Sequence, residues 1–448
     1  MELCYKGSCI DSKIIRKRFD NNLFSPVREI QSYKMSEMRY SYEEFVLFQG
    51  PRIINSIINN NCSVTDMVDF RMCCCYHNFN ISVLPIDESF INGLLYILKT
   101  DESYLCKKCL HLIQILWKME PNKFIIHELV DSVFCCFHYV DIGIQKRALH
   151  ALCNYLITSD KHRINLIKNN IFEDLRNYFM KCKKHNEYSR GFRMLFLLIN
   201  NKINEVWYQL IQIIPILQFT LSNPSPLIRR MTMWCLIPIL ENERGFQYCC
   251  ILGFHNTLKT ICTNVLNLEY GYAIFRCVYE FLQRGYTRVF SDINFINSFH
   301  GIIYLDTYEN ISPIFYCIGL LIPRNWEIFI RNDFYLRLIQ YSENSSLENK
   351  LSSAFCIAQL IIYSHPQYKD IIGTNGGANV LCSLLECFNE NELFNVLKSL
   401  LILLDLNFNL YHEIILKDDF YNRLIYLELK NTKLLDLRNS LINKLSVS

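Results

Sequence analysis

Helix breakers are scarce in this chain. With 14 glycines and 11 prolines in 448 residues, little interrupts a helix, and long irregular connections are excluded. Charge of one sign is missing too: 46 basic and 43 acidic residues leave a formal net charge of +3. No global field therefore favours nucleic acid or an anionic membrane, and a charged binding surface has to be local. Apolar runs stay short, SLLILL near Leu400 being typical of the longest, against roughly 18 residues for a membrane-spanning helix. The opening, MELCYKGSCIDSK, has no secretory apolar core. Neither nucleic acid nor a membrane is expected as a partner.

Signatures of catalysis are also missing. The sequence holds no GxxxxGK[ST], no GxGxxG after a strand and no GxSxG. Its two His-Glu pairs, His127-Glu128 and His412-Glu413, lack the second histidine of a zinc-protease helix. The one glycine cluster, GTNGGA at 373 to 378, reads as a helix boundary. The expectation is a protein that is not an enzyme and uses no cofactor.

Cysteine, by contrast, is abundant at 21 residues. Many lie inside helical runs where equivalent windows carry small residues: Cys109 stands where another window has Ala148, and Cys235 and Cys356 where it has Ala151. That pattern reads as small buried hydrophobes in a reducing compartment, without structural disulfides. Cys106, Cys109 and His111, and the CCCYH run from Cys73 to His77, are zinc-ligand types at suggestive spacing. No second CxxC pair follows at a finger-like distance, so no metal is expected.

What the chain has is a repeat. Trp234, Phe275, Phe315 and Phe355 recur at intervals of 41, 40 and 40 residues, each inside a helix-like apolar run. Equivalent windows extend both ways: CKKCLHLIQIL around Cys109, QKRALHALCNYL around Ala148, RGFRMLFLLIN around Gly191 and NVLKSLLILL around Val396. A second landmark returns in its own phase, an aliphatic pair broken by Asn, Asp or Gly, as in LIKNNIFEDL, ILGFHNTL, FIRNDFYLRL, IIGTNGGANVL and ILKDDFYNRL. Such breaks stop one helix and start another, which places them at the junction to the next repeat. The 51% hydrophobic content then forms a core that grows by stacking units.

Units of about forty residues, with a window of small, any, aromatic, small, Leu, any, Asn, resemble armadillo repeats. A HEAT-type repeat, with two helices per unit, is the alternative; the Asn and Gly breaks favour three. Within the armadillo group, QKRALHALCNYL followed by INLIKNNIFEDL most resembles importin-α, over roughly residues 50 to 448. The resemblance implies an all-α, right-handed superhelical solenoid of about nine to ten repeats from residue 51, preceded by an arm over 1 to 50. Its last unit, charge-rich, suits a cap.

Importin-α proteins pair a Trp with an Asn four residues later on each inner helix, to hold the lysines and backbone of a basic nuclear-localisation motif. Carried across, the resemblance implies a peptide-binding set of His150, Asn154, Trp234, Phe275, Phe315, Phe355 and Gln359. His111, Arg193 and Lys398 occupy the same column without the expected type. The arm cluster Lys13, Arg16, Lys17 and Arg18 would correspond to the segment that binds the carrier importin-β, although the arm is barely positive. VLFQGP at 46 to 51 matches the core of a viral protease site; it reads as native, with Gly50-Pro51 as the boundary between arm and first repeat.

The functional expectation is an adaptor, monomeric when free, that moves between cytoplasm and nucleus and binds proteins bearing basic linear motifs. A non-transport scaffold assembling protein partners is the alternative. Groove charge separates them, because lysine slots need carboxylates beside them.

Overall fold

The structure is a computed structural model that describes residues 42–75, 80–200, 203–263, 271–303, 311–331, 333–429 and 431–446. Lys13, Arg16, Lys17 and Arg18 lie outside them. The described residues are α-helical with short π and 3-10 turns and no strand, and they fall into two compact units divided along the chain between Phe246 and Gln247. That division has no counterpart in the sequence pattern, which runs on unbroken.

Ten helices carry the repeated windows or their equivalents. In the first unit they are α1 (Val64–Cys74), α2 (Ser103–Met119), α3 (Ile142–Thr158), α4 (His185–Ile199) and α5 (Pro226–Glu241), each packed on the next. In the second they are α6 (Gly271–Gln283), α7 (Ser312–Ile330), α8 (Leu347–Tyr363), α9 (Glu390–Leu406) and α10 (Thr432–Leu445), again packed in chain order. Between most successive members run two further helices, for example Asp160–Lys168 and Ile171–Lys181 before α4; among the described residues a 3-10 turn and one helix stand between α1 and α2, and Phe334–Asn344 alone between α7 and α8. Three helices in most units is what the Asn and Gly breaks suggested.

The breaks do what Asn, Asp and Gly do best. Asn170, Gly253, Asp333, Gly376 and Asp419, one in each recurring landmark, all have positive φ, between 50° and 111°. A left-handed residue reverses the chain within a turn, and these residue types tolerate it. The turn falls between the first and second helices of each unit, inside the repeat; the seam to the next unit lies after the long helix.

The long helices approach closely because their contact positions are small. Cys235 Sγ donates to the Phe192 carbonyl of the preceding helix at 3.4 Å. In the second unit Cys317 Sγ reaches Phe275 O at 3.3 Å and Cys356 Sγ reaches Phe315 O at 2.9 Å. These thiols are buried and free, and burial pushes each well above the usual thiol range. Cysteine acts here as a small hydrophobe with a weak donor.

The boundary expected at Gly50-Pro51 is corrected. Helix runs from Tyr42 through a π turn, Phe45–Gln49, directly into Gly50–Ile58. Phe45 is fully buried, with its ring 5.8 Å from that of Phe70 on α1. Gly50 is a close-approach residue: a Cβ there would meet Leu84 Cδ2 and the Phe45 carbonyl at 2.9 Å. Pro51 follows the π turn, at the second position of the Gly50–Ile58 segment.

Candidate peptide-binding ridge

On α2, α3 and α4 the sequence repeats a pair of cationic or imidazole side chains one turn apart: Lys108 and His111, Arg147 and His150, Arg190 and Arg193. Residues three apart share a helix face, so each pair points the same way. Arg71 on α1 extends the second column. Register then brings the columns into contact between neighbouring helices.

Arg71 Nη1 lies 3.0 Å from His111 Nδ1, linking α1 to α2. His150 Nε2 has three neighbours: Gln114 Nε2 at 3.1 Å from α2, and Arg190 Nη1 at 3.3 Å and Arg193 Nη1 at 3.5 Å from α4. A guanidinium can only donate, so His150 Nε2 accepts and the ring proton sits on Nδ1; in His111 the same logic puts it on Nε2. Burial, and then the charges of Arg147, Arg71, Lys108 and Arg190, push the His111 pKa down to about 2. Burial followed by Arg190, Arg193, His111 and Arg147 holds His150 well below the usual histidine range. Both rings are neutral at physiological pH, inside a locally positive field.

The side chains expected to bind peptide sit elsewhere. Trp234, Phe275, Phe315 and Phe355 are all buried, Phe355 being the most exposed at 8%. Phe275 packs on Phe299 with centroids 5.1 Å apart, and Phe315 meets Tyr341 edge-on at 5.2 Å. Phe355 lies against Gly319, whose notional Cβ would stand 2.4 Å from its ring. The aromatic column is core, because an apolar ring at a helix-helix contact buries more area inward than a groove would cover.

The amide column is corrected as well. Asn154 is buried, and its Nδ2 donates to the Gln114 carbonyl of α2 at 2.8 Å, so it ties two ridge helices together. Gln359 is buried on α8. Of the expected set, only His150 joins the row of interacting side chains, as a neutral acceptor. Among the zinc-ligand types, Cys109 Sγ is 3.8 Å from the Leu94 carbonyl while His111 turns to Arg71.

Sequence reasoning passed over Arg71, Gln114, Arg147 and Arg190, and set His111 and Arg193 aside as departures. Their signal was present: a cationic residue followed three positions later by histidine or arginine, returning at the repeat interval. The search for Trp and Asn hid it.

A different row lines the second unit. The Arg276 guanidinium lies 5.1 Å over the Tyr279 ring and 3.0 Å from Glu280, which also holds Arg284 at 2.6 Å. Tyr279 and Tyr316 are 5.7 Å apart, Tyr316 and Phe355 6.0 Å, and Tyr316 Oη donates to Glu392 Oε1 at 2.7 Å. The rings touch each other and leave no slot between them. Burial raises the Glu392 carboxyl above its usual range, and pushes the Tyr279 hydroxyl up to about 12.

No family model and no curated protein matches the chain. Solved structures do match in fold. An engineered protein from a structural-genomics consortium aligns with a TM-score of 0.61 at 13% identity, covering 88% of this chain and 99% of its own. A structure described by a conserved phosphorylation switch that controls the interaction between cadherin and β-catenin aligns at 0.56 and 11% identity, covering 80% and 69%. At these identities the likeness is one of fold. The chain is an all-α helical-repeat solenoid.

Proposed function

We propose that this chain is a non-catalytic scaffold that holds an extended segment of a partner protein along helices α1 to α4. The observation that carries the reading is register: Arg71, His111, His150 and Arg193 occupy one repeat position on four successive helices and interact across them. A strand laid across such helices meets an equivalent group at every step. The solved structure that concerns the interaction between cadherin and β-catenin supports the class of ligand by fold analogy.

The alternative, an import adaptor for basic motifs, needs aromatic slots flanked by available carboxylates. In the second unit the rings close on one another and Glu280 and Glu392 are engaged by Arg276, Arg284 and Tyr316. In the first unit the row is made of Arg71, His111, His150 and Arg193, with no carboxylate among them. Assembly of protein partners is therefore the better reading.

Selection from a library of random twelve-residue peptides, followed by hydrogen exchange on the complex, tests it. Protection is expected on α1 to α4, and Gln114→Ala with Arg147→Ala should weaken the selected peptides. Protection confined to other helices, or a lysine-rich peptide as the dominant selection, would return the import reading or a different surface.

A further inference from the structure

We infer that a cavity on the first unit, between helix His127–Phe137 and helix Asp160–Lys168, is a receptor for a tryptophan side chain of a partner protein. Its volume is about 410 Å³, within the roughly 300 to 1,000 Å³ of ligand cavities. None of the ridge side chains Arg71, His111, His150 and Arg193 lines it, so its occupant is independent of the segment held by the ridge.

The walls are apolar and aromatic. Val130 and Phe134 come from the first helix, Leu166 from the second, and Tyr155, only 3% exposed, closes the cavity from α3. The His162 ring stacks on Tyr155, with centroids 4.0 Å apart and planes 14° from parallel. At the position of Tyr155 the neighbouring windows carry Leu116 and Leu198, so the ring pair belongs to this one repeat and is not required by stacking. Aromatic walls of this kind receive a further ring in offset or edge-on contact.

The polar groups are anchored and rich in acceptors. His162 Nδ1 lies 3.0 Å from the Tyr155 carbonyl, which can only accept, so Nδ1 carries the proton and Nε2 of the neutral ring is left as an acceptor. His127 Nδ1 lies 2.7 Å from Asp131 Oδ2, and a carboxylate imposes the same arrangement on that ring. Asn165 hydrogen-bonds the Tyr155 hydroxyl. Groups held in this way lose little freedom when a ligand arrives. Charge at the mouth is mixed: Lys168 disfavours a cation and Asp131 an anion. A neutral aromatic that only donates fits best, and indole is the side chain of that description.

A partner must supply it. The four tryptophans of this chain, Trp117, Trp207, Trp234 and Trp326, all lie in described helices; the first and third are buried and the others half-buried, so neither this molecule nor a second copy presents one freely. His127, Asp131, Asn165 and Lys168 are exposed, so the occupant enters from solvent and the chain that carries it stays at the mouth.

The test uses the full chain and ligand-observed saturation-transfer NMR with four probes: N-acetyl-tryptophanamide, its N-methylindole analogue, and Gly-Ser peptides with a central Trp or a central Phe. The Trp peptide is expected to bind at least as tightly as the free amide and about tenfold tighter than the Phe peptide. Methylation, which keeps the rings and removes the donor, should weaken the amide about tenfold, as loss of one hydrogen bond requires. Val130→Trp, at a half-buried position, fills the cavity and should abolish binding. His162→Leu should reduce the preference for indole over its methyl derivative.

Equal binding of indole and methylindole, or of the Trp and Phe peptides, overturns the assignment of the ligand. Binding of the amide without the peptide makes the occupant a small molecule and overturns the partner. Probes indifferent to Val130→Trp are bound elsewhere and overturn the site. Should that variant fold poorly, hydrogen-exchange protection of helix His127–Phe137 by the Trp peptide on the wild type decides: protection sustains the site, and its absence removes it.

Discussion

His111 shows how a single side chain reports its surroundings. In the folded chain its pKa is held at about 2, against an ordinary value of 6.5, by burial and four cations. Between those limits the unfolded chain carries the extra proton, so stability must fall as pH drops below about 6.5 and stay level above it. At pH 5 the loss from this residue is on the order of 2 kcal/mol. His111→Gln keeps an acceptor for Arg71 and removes the titration, so urea midpoints at pH 7.5 and pH 5 should differ less in the variant than in the wild type. Equal losses would mean that His111 is not held neutral.

At the scale of elements, the contact between long helices depends on one side being small. Gly319 on α7 leaves room for the Phe355 ring of α8, and a methyl group there would stand 2.4 Å from Phe355 Cε1. Gly319→Ala is expected to destabilise by about 1 to 3 kcal/mol, the cost of overpacking a fixed interface, and a thermal melt would show it. An unchanged melting point would mean that the ring can rotate away. The same helix shows where regularity ends: Asn325 has non-helical backbone angles two residues after Pro323. A proline without an amide donor is a sufficient cause for that kink.

For the whole molecule the relevant fact is that each unit is stabilised by its neighbours. The last long helix, α10, buries only Leu434, Leu441 and Leu445 and packs on α9. Removing Thr432–Leu445 should uncover the apolar side of α9, lower the melting temperature and promote self-association, visible by light scattering on a sizing column. A truncated chain that stays monomeric with an unchanged melt would show that α9 needs no cover.

Much of this was legible in the residues themselves. Three helices per unit followed from Asn170, Gly253, Asp333, Gly376 and Asp419, because only a few residue types adopt left-handed backbone cheaply and their return marks a turn. The buried role of Cys109, Cys235 and Cys356 followed from the same logic of repetition. Repetition cannot say which way a side chain faces. Trp234, Phe275, Phe315 and Phe355 kept their spacing and turned inward, since periodicity along a chain is the same for a groove and for a core. Asn154 lost its expected role to a carbonyl on the neighbouring helix, a partner 40 residues away that no local pattern names. The cationic row likewise belongs to tertiary structure. Arg71, His111, His150 and Arg193 are far apart in sequence, and stacking alone brings the two guanidinium groups against the two neutral imidazoles.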